Sequence, residues 1–289
     1  MAAIASYPAH TSESPTPRQS EQYRSTEGDV VIFRSADGVL FNIHRANLSV
    51  FTDGPFAVDF PSEGDVVELS ESEATLGYLF QFVYSGRHPL LTDVPFDSLR
   101  ALAEAAEKYQ VSPAMSVCYM RMSTMHKEHP LAVLQYADRH AYVELMDLAA
   151  PYTLGLSVKD MRNSLSLSTQ IAWADYKETW TSVRWRSSAD IGQPPMHVGR
   201  KGGEVRCDIW PAIARVVQSR VDSCQRPPML EIDAMFVGMV DVAKQCTHDI
   251  PGSWGNKRCS QQLGDWRSAL EDKVRELPQL SQCLSVAEL

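Results

Sequence analysis

Cysteine and histidine are the side chains here best suited to metal or redox chemistry. Cys246-Thr247-His248, followed by Cys259, could ligate a metal with Cys224 or Cys283 as a further donor. Its spacing follows neither the C-x2-4-C nor the H-x3-5-H pattern of structural zinc sites. Cys246 also ends a helical stripe, so the sulfurs read as buried thiols of a core. The six cysteines (Cys118, Cys207, Cys224, Cys246, Cys259, Cys283) are scattered singly through 289 residues. That is not the dense spacing of a disulfide scaffold. They read as reduced thiols, which suggests cytoplasm or nucleus.

Other stretches with chemical potential fall short of their motifs. "PGSWG" at 251–255 misses the G-x-S-x-G elbow that exposes a nucleophilic serine. "GRKGGE" at 199–204 lacks both the G-x-x-x-x-G-K-[ST] order and a preceding strand, so it reads as a flexible loop. Trp173, Tyr176 and Trp180, with Arg184, Trp185 and Arg186, could stack the bases of a single strand. Their helical spacing favours the buried seam of a bundle instead. No catalytic residue, cofactor or metal ion is expected, and the chain reads as a non-enzyme.

Charge narrows the partners. A net charge of −9 argues against a main partner that is nucleic acid or an anionic membrane, since both select a basic surface. Between Arg45 and Arg87 there is no Lys, Arg or His, while Asp53, Asp59, Glu63, Asp65, Glu68, Glu71 and Glu73 all fall inside. Such a run is a solvated face that could also steer a basic partner.

The elements that must carry these residues follow from periodicity. Residues 1–26, rich in Ser, Thr, Pro and Gln, read as a disordered tail. "DVVIFRSADGVLFNIHR" alternates apolar residues about Asp37-Gly38 and predicts a hairpin, with Asp29, His44 and Arg45 at its ends. A short helix carrying Leu48 and Phe51 follows, then another over Pro55 to Phe60. "DVVELS" is a third strand, and Ser70 with Glu73 predicts a capping box before a stripe of Leu76, Leu79, Phe80 and Val83. Further stripes predict helices around Leu99 to Ala106 and from Pro113 to Met125. Beyond His129-Pro130 the pattern is all helical, broken by a Gly/Pro-rich loop at 187–206.

The order of motifs in residues 27–125 resembles a BTB/POZ domain. Asp29-Val30-Val31, Phe41-Asn42-Ile43-His44-Arg45, Leu48 and Phe51, Phe56 and Phe60, "VVEL", "LGYLFQFVYSGR" and "LAEAAEKYQV" fall in the family's order. "HPLAVLQYADRHAYVELMDLAAPYTLGL" is similar to the helical, BACK-like extension of many fungal BTB proteins. The implied fold is α+β: a small sheet surrounded by helices at 27–125, then an all-α region at 126–289. That region divides into BACK-like helices at 126–186, the loop at 187–206, and further helices at 207–289.

The resemblance implies a protein–protein interaction module, scaffold or adaptor, with other proteins as partners. By position, Phe56, Val58, Asp59 and Phe60 are its candidate partner-binding residues. A second reading is a substrate adaptor of a cullin-type ubiquitin ligase. Cullin-binding members carry a hydrophobic-x-Glu triplet in a loop, and Pro61-Ser62-Glu63 is the nearest counterpart. A third is a hydrolase or metal-dependent enzyme in residues 170–289. Members that form swapped homodimers carry an amphipathic helix before the first strand, and "PTPRQSEQYRSTEG" has no apolar stripe to build one. At the hairpin ends, Asp29, His44 and Arg45 read as structural polar groups, with a ligand pocket using His44 as the alternative.

Overall fold

The computed structural model describes residues 18–56, 65–189, 196–198, 203–223, 232–246 and 259–287. Four short strands form a sheet at the N-terminal end: Arg18–Gln19 (β1), Val30–Arg34 (β2), Val39–His44 (β3) and Val66–Glu68 (β4), in the order β1-β3-β2-β4. The predicted hairpin is β2–β3, with Val31 opposite Ile43 and Phe33 opposite Phe41. Its turn needs Gly38, whose φ of 84° few side chains tolerate. β4 joins the other side of β2 in parallel. The chain divides into two compact units between Met122 and Ser123, and the first is α+β.

Helices Arg45–Phe51 (α1), Glu73–Gln81 (α2), Phe96–Tyr109 (α3) and Ser112–Met125 (α4) accompany the sheet, and α2 packs on α3. The core is aromatic. Phe80 sits 5.4 Å from both Phe33 and Phe41, ring centre to ring centre, and Phe56 stacks on Tyr109 at 4.2 Å. Burying each such ring stabilises by about 1.5–3 kcal/mol. Gly54 lets the end of α1 approach the α3–α4 junction. A Cβ there would lie 2.8 Å from the Gln110 side chain and 3.0 Å from the Tyr109 carbonyl.

Two expectations change in this unit. Residues 18–26 are not a disordered tail: Ser20 N–H donates to the Leu40 carbonyl and Asn42 N–H to the Tyr23 carbonyl, both at 2.9 Å. Tyr23 is only 6% exposed and its ring meets Phe41, Phe80 and Tyr84. One aromatic anchor and the unpaired edge of β3 order a stretch too polar to show periodicity. The capping box at Ser70 and Glu73 does not form either. Ser72 is the N-cap of α2, accepting Thr75 N–H at 3.3 Å, while the Asp37 carboxylate takes Glu73 N–H at 2.8 Å. "SESE" offers two serine starts, and the hairpin turn selects the second.

Ser70 and Glu71 join a surface brace instead. Glu71 Oε1 accepts from Lys108 Nζ (2.8 Å) and Ser70 Oγ (3.0 Å), and Oε2 accepts from Tyr109 Oη (2.5 Å). Burial alone would raise the Glu71 carboxyl, but hydrogen bonds from Lys108, Tyr109 and Ser70 outweigh it and hold the group below its usual range. Burial first, then the bond to Glu71, pushes Tyr109 up to about 12.

The second unit begins with a packed pair, Pro130–Arg139 (α5) and Val143–Thr153 (α6), then Val158–Arg162 (α7) and Leu167–Ala189 (α8). Trp173, Tyr176 and Trp180 of α8 are buried, the seam their spacing predicts, and Trp173 Nε1 donates to Thr153 Oγ1 at 2.8 Å. Two carboxylates tie this bundle across long sequence gaps. Asp138 of α5 accepts from Ser166 and Thr169 at the start of α8. Asp147 of α6 accepts both the N–H and hydroxyl of Ser281 in Leu280–Ala287 (α13).

The expected loop at 187–206 and all-helical C-terminal region are corrected here. α8 extends to Ala189, and Met196–Val198 (β5) pairs antiparallel with Glu204–Arg206 (β6). Strands of three residues among Gly and Pro are too short to show alternation. Trp210–Ser223 (α9), Ile232–Phe236 (α10), Met239–Ala243 (α11) and Cys259–Arg275 (α12) follow. Among the described residues no helix is long and apolar enough to cross a membrane.

Two measurements check this fold. Tyr23→Ala should strip hydrogen-exchange protection from the amides of Ser20 and Asn42 while Phe33 and Phe41 amides stay protected. Glu71→Gln should cost about 1 kcal/mol at neutral pH, the scale of a charge-assisted hydrogen bond near the surface. The folded carboxyl is depressed, so its contribution is present above the unfolded pKa of about 4.3 and lost as pH falls through the folded value. Denaturation curves of wild type and Glu71→Gln should therefore converge in acid.

Candidate metal centre

The C-terminal elements bury a second apolar core built on Trp210, Ile213 and Val217 of α9, Met235 and Phe236 of α10, Met239 of α11, and Leu263 and Leu270 of α12. Trp266 of α12 packs against it, 6.0 Å from Trp210 and edge-on to Phe236 at 5.2 Å. Arg220 of α9 donates to the carbonyls of Met235 and Val237, both at 2.8 Å, and so satisfies the end of α10. Gly238, at φ 76°, turns the chain between α10 and α11.

At one end of this core four metal-ligating side chains converge. His197 comes from β5, Cys207 directly follows β6, Cys246 lies just beyond α11, and Cys259 opens α12. All four are buried, and their ligand atoms lie within 4.8 Å of one another. Cys207 Sγ is 3.3 Å from Cys259 Sγ and 3.7 Å from Cys246 Sγ; His197 Nε2 is 3.2 Å from Cys259 Sγ and 3.4 Å from Cys246 Sγ. The sulfurs are too far apart for a disulfide, which needs about 2.05 Å.

Burial, followed by hydrogen bonding to Cys207 and Cys246, pushes the Cys259 thiol up from its ordinary range. Neutral thiols can share hydrogen bonds at these distances, whereas thiolates packed this way would need a cation among them. Converging sulfur and imidazole donors with no exposed member have the closed form of a structural metal site. A catalytic site keeps one coordination position open.

The sequence reading had two of these four. Cys246 and Cys259 are buried as expected, but in contact with two further donors that spacing did not reveal. His248 and Cys224 lie outside the described residues. Cys283 belongs to α13, where its environment includes Asp147 and Asp175. The one signal that could have exposed His197 and Cys207 is "MHVGRKGGEVRC", where a ligand residue stands on either side of a glycine-rich stretch.

The other candidate residues have plain positions. Asp29 and Arg45 pair with each other, Arg45 Nε donating to both carboxylate oxygens at 3.1 and 3.2 Å. His44 Nδ1 lies 3.0 Å from Tyr84 Oη, at the rim of an open cleft of about 430 Å³ lined also by Asn42, Gln81 and Arg87. Phe56, expected at a partner surface, is 3% exposed and belongs to the aromatic core. Val58, Asp59, Phe60 and the Pro61-Ser62-Glu63 triplet lie outside the described residues. No family model matches the chain, and neither does any curated protein.

Alkylation of the folded protein with iodoacetamide, read by peptide mass spectrometry, should mark Cys283 first among the described thiols, since it alone of them is partly exposed. Cys118, pushed up to about 12 by burial and then by Glu107, should resist, as should Cys207, Cys246 and Cys259, until denaturant is added.

Proposed function

We propose that the chain is a non-catalytic protein-interaction module of the BTB/POZ type, acting as a scaffold or adaptor for other proteins. The observation that carries this reading is how the polar residues at the hairpin ends are used. Asp29 neutralises Arg45, the Asp29 carbonyl accepts Arg45 N–H at 3.0 Å, and His44 engages Tyr84. These groups brace a sheet against its helices. The hairpin followed by a parallel third strand and then by helices supports the same reading. So does the closed cysteine and histidine cluster, whose form suits holding elements together and not turning over a substrate.

In this reading the contact surface is not Phe56 but the neighbouring face. Phe51 of α1 meets His88 edge-on at 6.4 Å, which brings α1 alongside the segment after α2. Val50 and Leu90, flanking that contact in the chain, are 72% and 61% exposed. With Asp53 three residues after Val50 in the chain, they suit a partner that offers apolar side chains within a basic rim.

Affinity capture from cells with the full chain, compared with Val50→Asp/Leu90→Asp, tests the proposal. Captured partners should fall at least about tenfold at an unchanged melting temperature, since surface changes away from the core cost little. Unchanged capture would remove this surface. A cullin among the partners would make the module a ligase adaptor.

A further inference from the structure

We infer that His197, Cys207, Cys246 and Cys259 bind one zinc ion and that this ion locks the β5–β6 hairpin onto the helices α9 to α12. For Zn–S and Zn–N bonds of about 2.3 and 2.0 Å at tetrahedral angles, sulfur–sulfur edges come to about 3.8 Å and sulfur–nitrogen edges to about 3.5 Å. Of the six donor–donor separations, one sulfur–sulfur and one sulfur–nitrogen distance (3.7 and 3.4 Å) lie on those edges, a second of each (3.3 and 3.2 Å) is shorter, and all six are within 4.8 Å, a cluster that closes onto one ion with small side-chain shifts. Three sulfurs and one imidazole nitrogen are a borderline-soft donor set, which selects zinc over magnesium or calcium. Two donors from a hairpin, one from a helix end and one from a helix start leave no position for substrate.

The ion would do for this region what its elements cannot do locally. Cys207 and Cys246 are 39 residues apart and His197 and Cys259 are 62 apart, so one ion closes several long loops at once. Zinc binding is then coupled to the folding of this region. The bundle of α5, α6, α8 and α13 has its own seam of Trp173, Tyr176 and Trp180 and its own ties through Asp138 and Asp147, and is independent of the ion.

Metal analysis of the full chain, purified without chelator, should give one zinc per molecule. Replacement by cobalt should produce the intense visible bands and near-ultraviolet thiolate charge transfer of a tetrahedral site with three sulfur ligands and one nitrogen. His197→Cys should keep the metal and shift the cobalt spectrum toward an all-sulfur site. Cys259→Ala should lose the metal, and Cys283→Ala, outside the cluster, should keep it. Stripping the ion with a strong chelator should expose β5, β6 and α9 to α12 to protease while α5, α6 and α8 keep their hydrogen-exchange protection. A purified chain with less than about a tenth of an equivalent of zinc and no cobalt spectrum would overturn the assignment. So would a mass two hydrogens lower, locating a Cys207–Cys259 disulfide. Should Cys259→Ala prove insoluble, the stoichiometry and cobalt spectrum of the unaltered chain still decide.

Discussion

Elements of three to five residues do not persist alone in water, because so few hydrogen bonds cannot offset the entropy of forming them. β5, β6, α10 and α11 are all of this size. The hairpin and the helices around α11 and α12 meet where three sulfurs and an imidazole come together at the edge of a core of Trp210, Phe236 and Leu263. That convergence is the constraint on which the C-terminal region depends. It sits where the hairpin ends and where α12 begins.

The N-terminal unit solves a similar problem with carbon. Its strands are also short, but Phe33, Phe41, Phe56 and Phe80 interlock in one aromatic cluster, and the polar residues around it form local braces. Glu71 joins the start of α2 to the end of α3, Asp29 joins the hairpin to α1, and Asp37 caps the start of α2 from the hairpin turn. Each is modest in energy, and each removes one way for a short element to slide.

What the sequence displayed and what it concealed follow from the range of the interactions. The β2–β3 hairpin was legible because alternation and Asp37-Gly38 are local signals. The buried seam of α8 was legible because Trp173, Tyr176 and Trp180 recur at helical spacing. The ordering of residues 18–26 was not, since it hangs on one tyrosine and on backbone hydrogen bonds to β3, which any sequence can make. The cluster of four was half legible. Cys246 and Cys259 announced burial, but their partnership with His197 and Cys207 is a product of topology, and ligands separated by 39 to 62 residues leave no periodic trace. The position of Phe56 was misread for the same reason, because the stacking of its ring on Tyr109 joins parts of the chain that no short window spans.

The pairing of β1 with β3 has a consequence for solubility. A strand edge with free N–H and C=O groups is a template for another chain, and proteins that leave one uncovered tend to self-associate. Here residues 18–25 occupy that edge through Ser20, Tyr23 and the Asn42 side chain, which donates to the Ser25 carbonyl at 3.0 Å. A domain trimmed to begin at residue 27 would lose Tyr23 from its aromatic core and, with it, the cover over this edge.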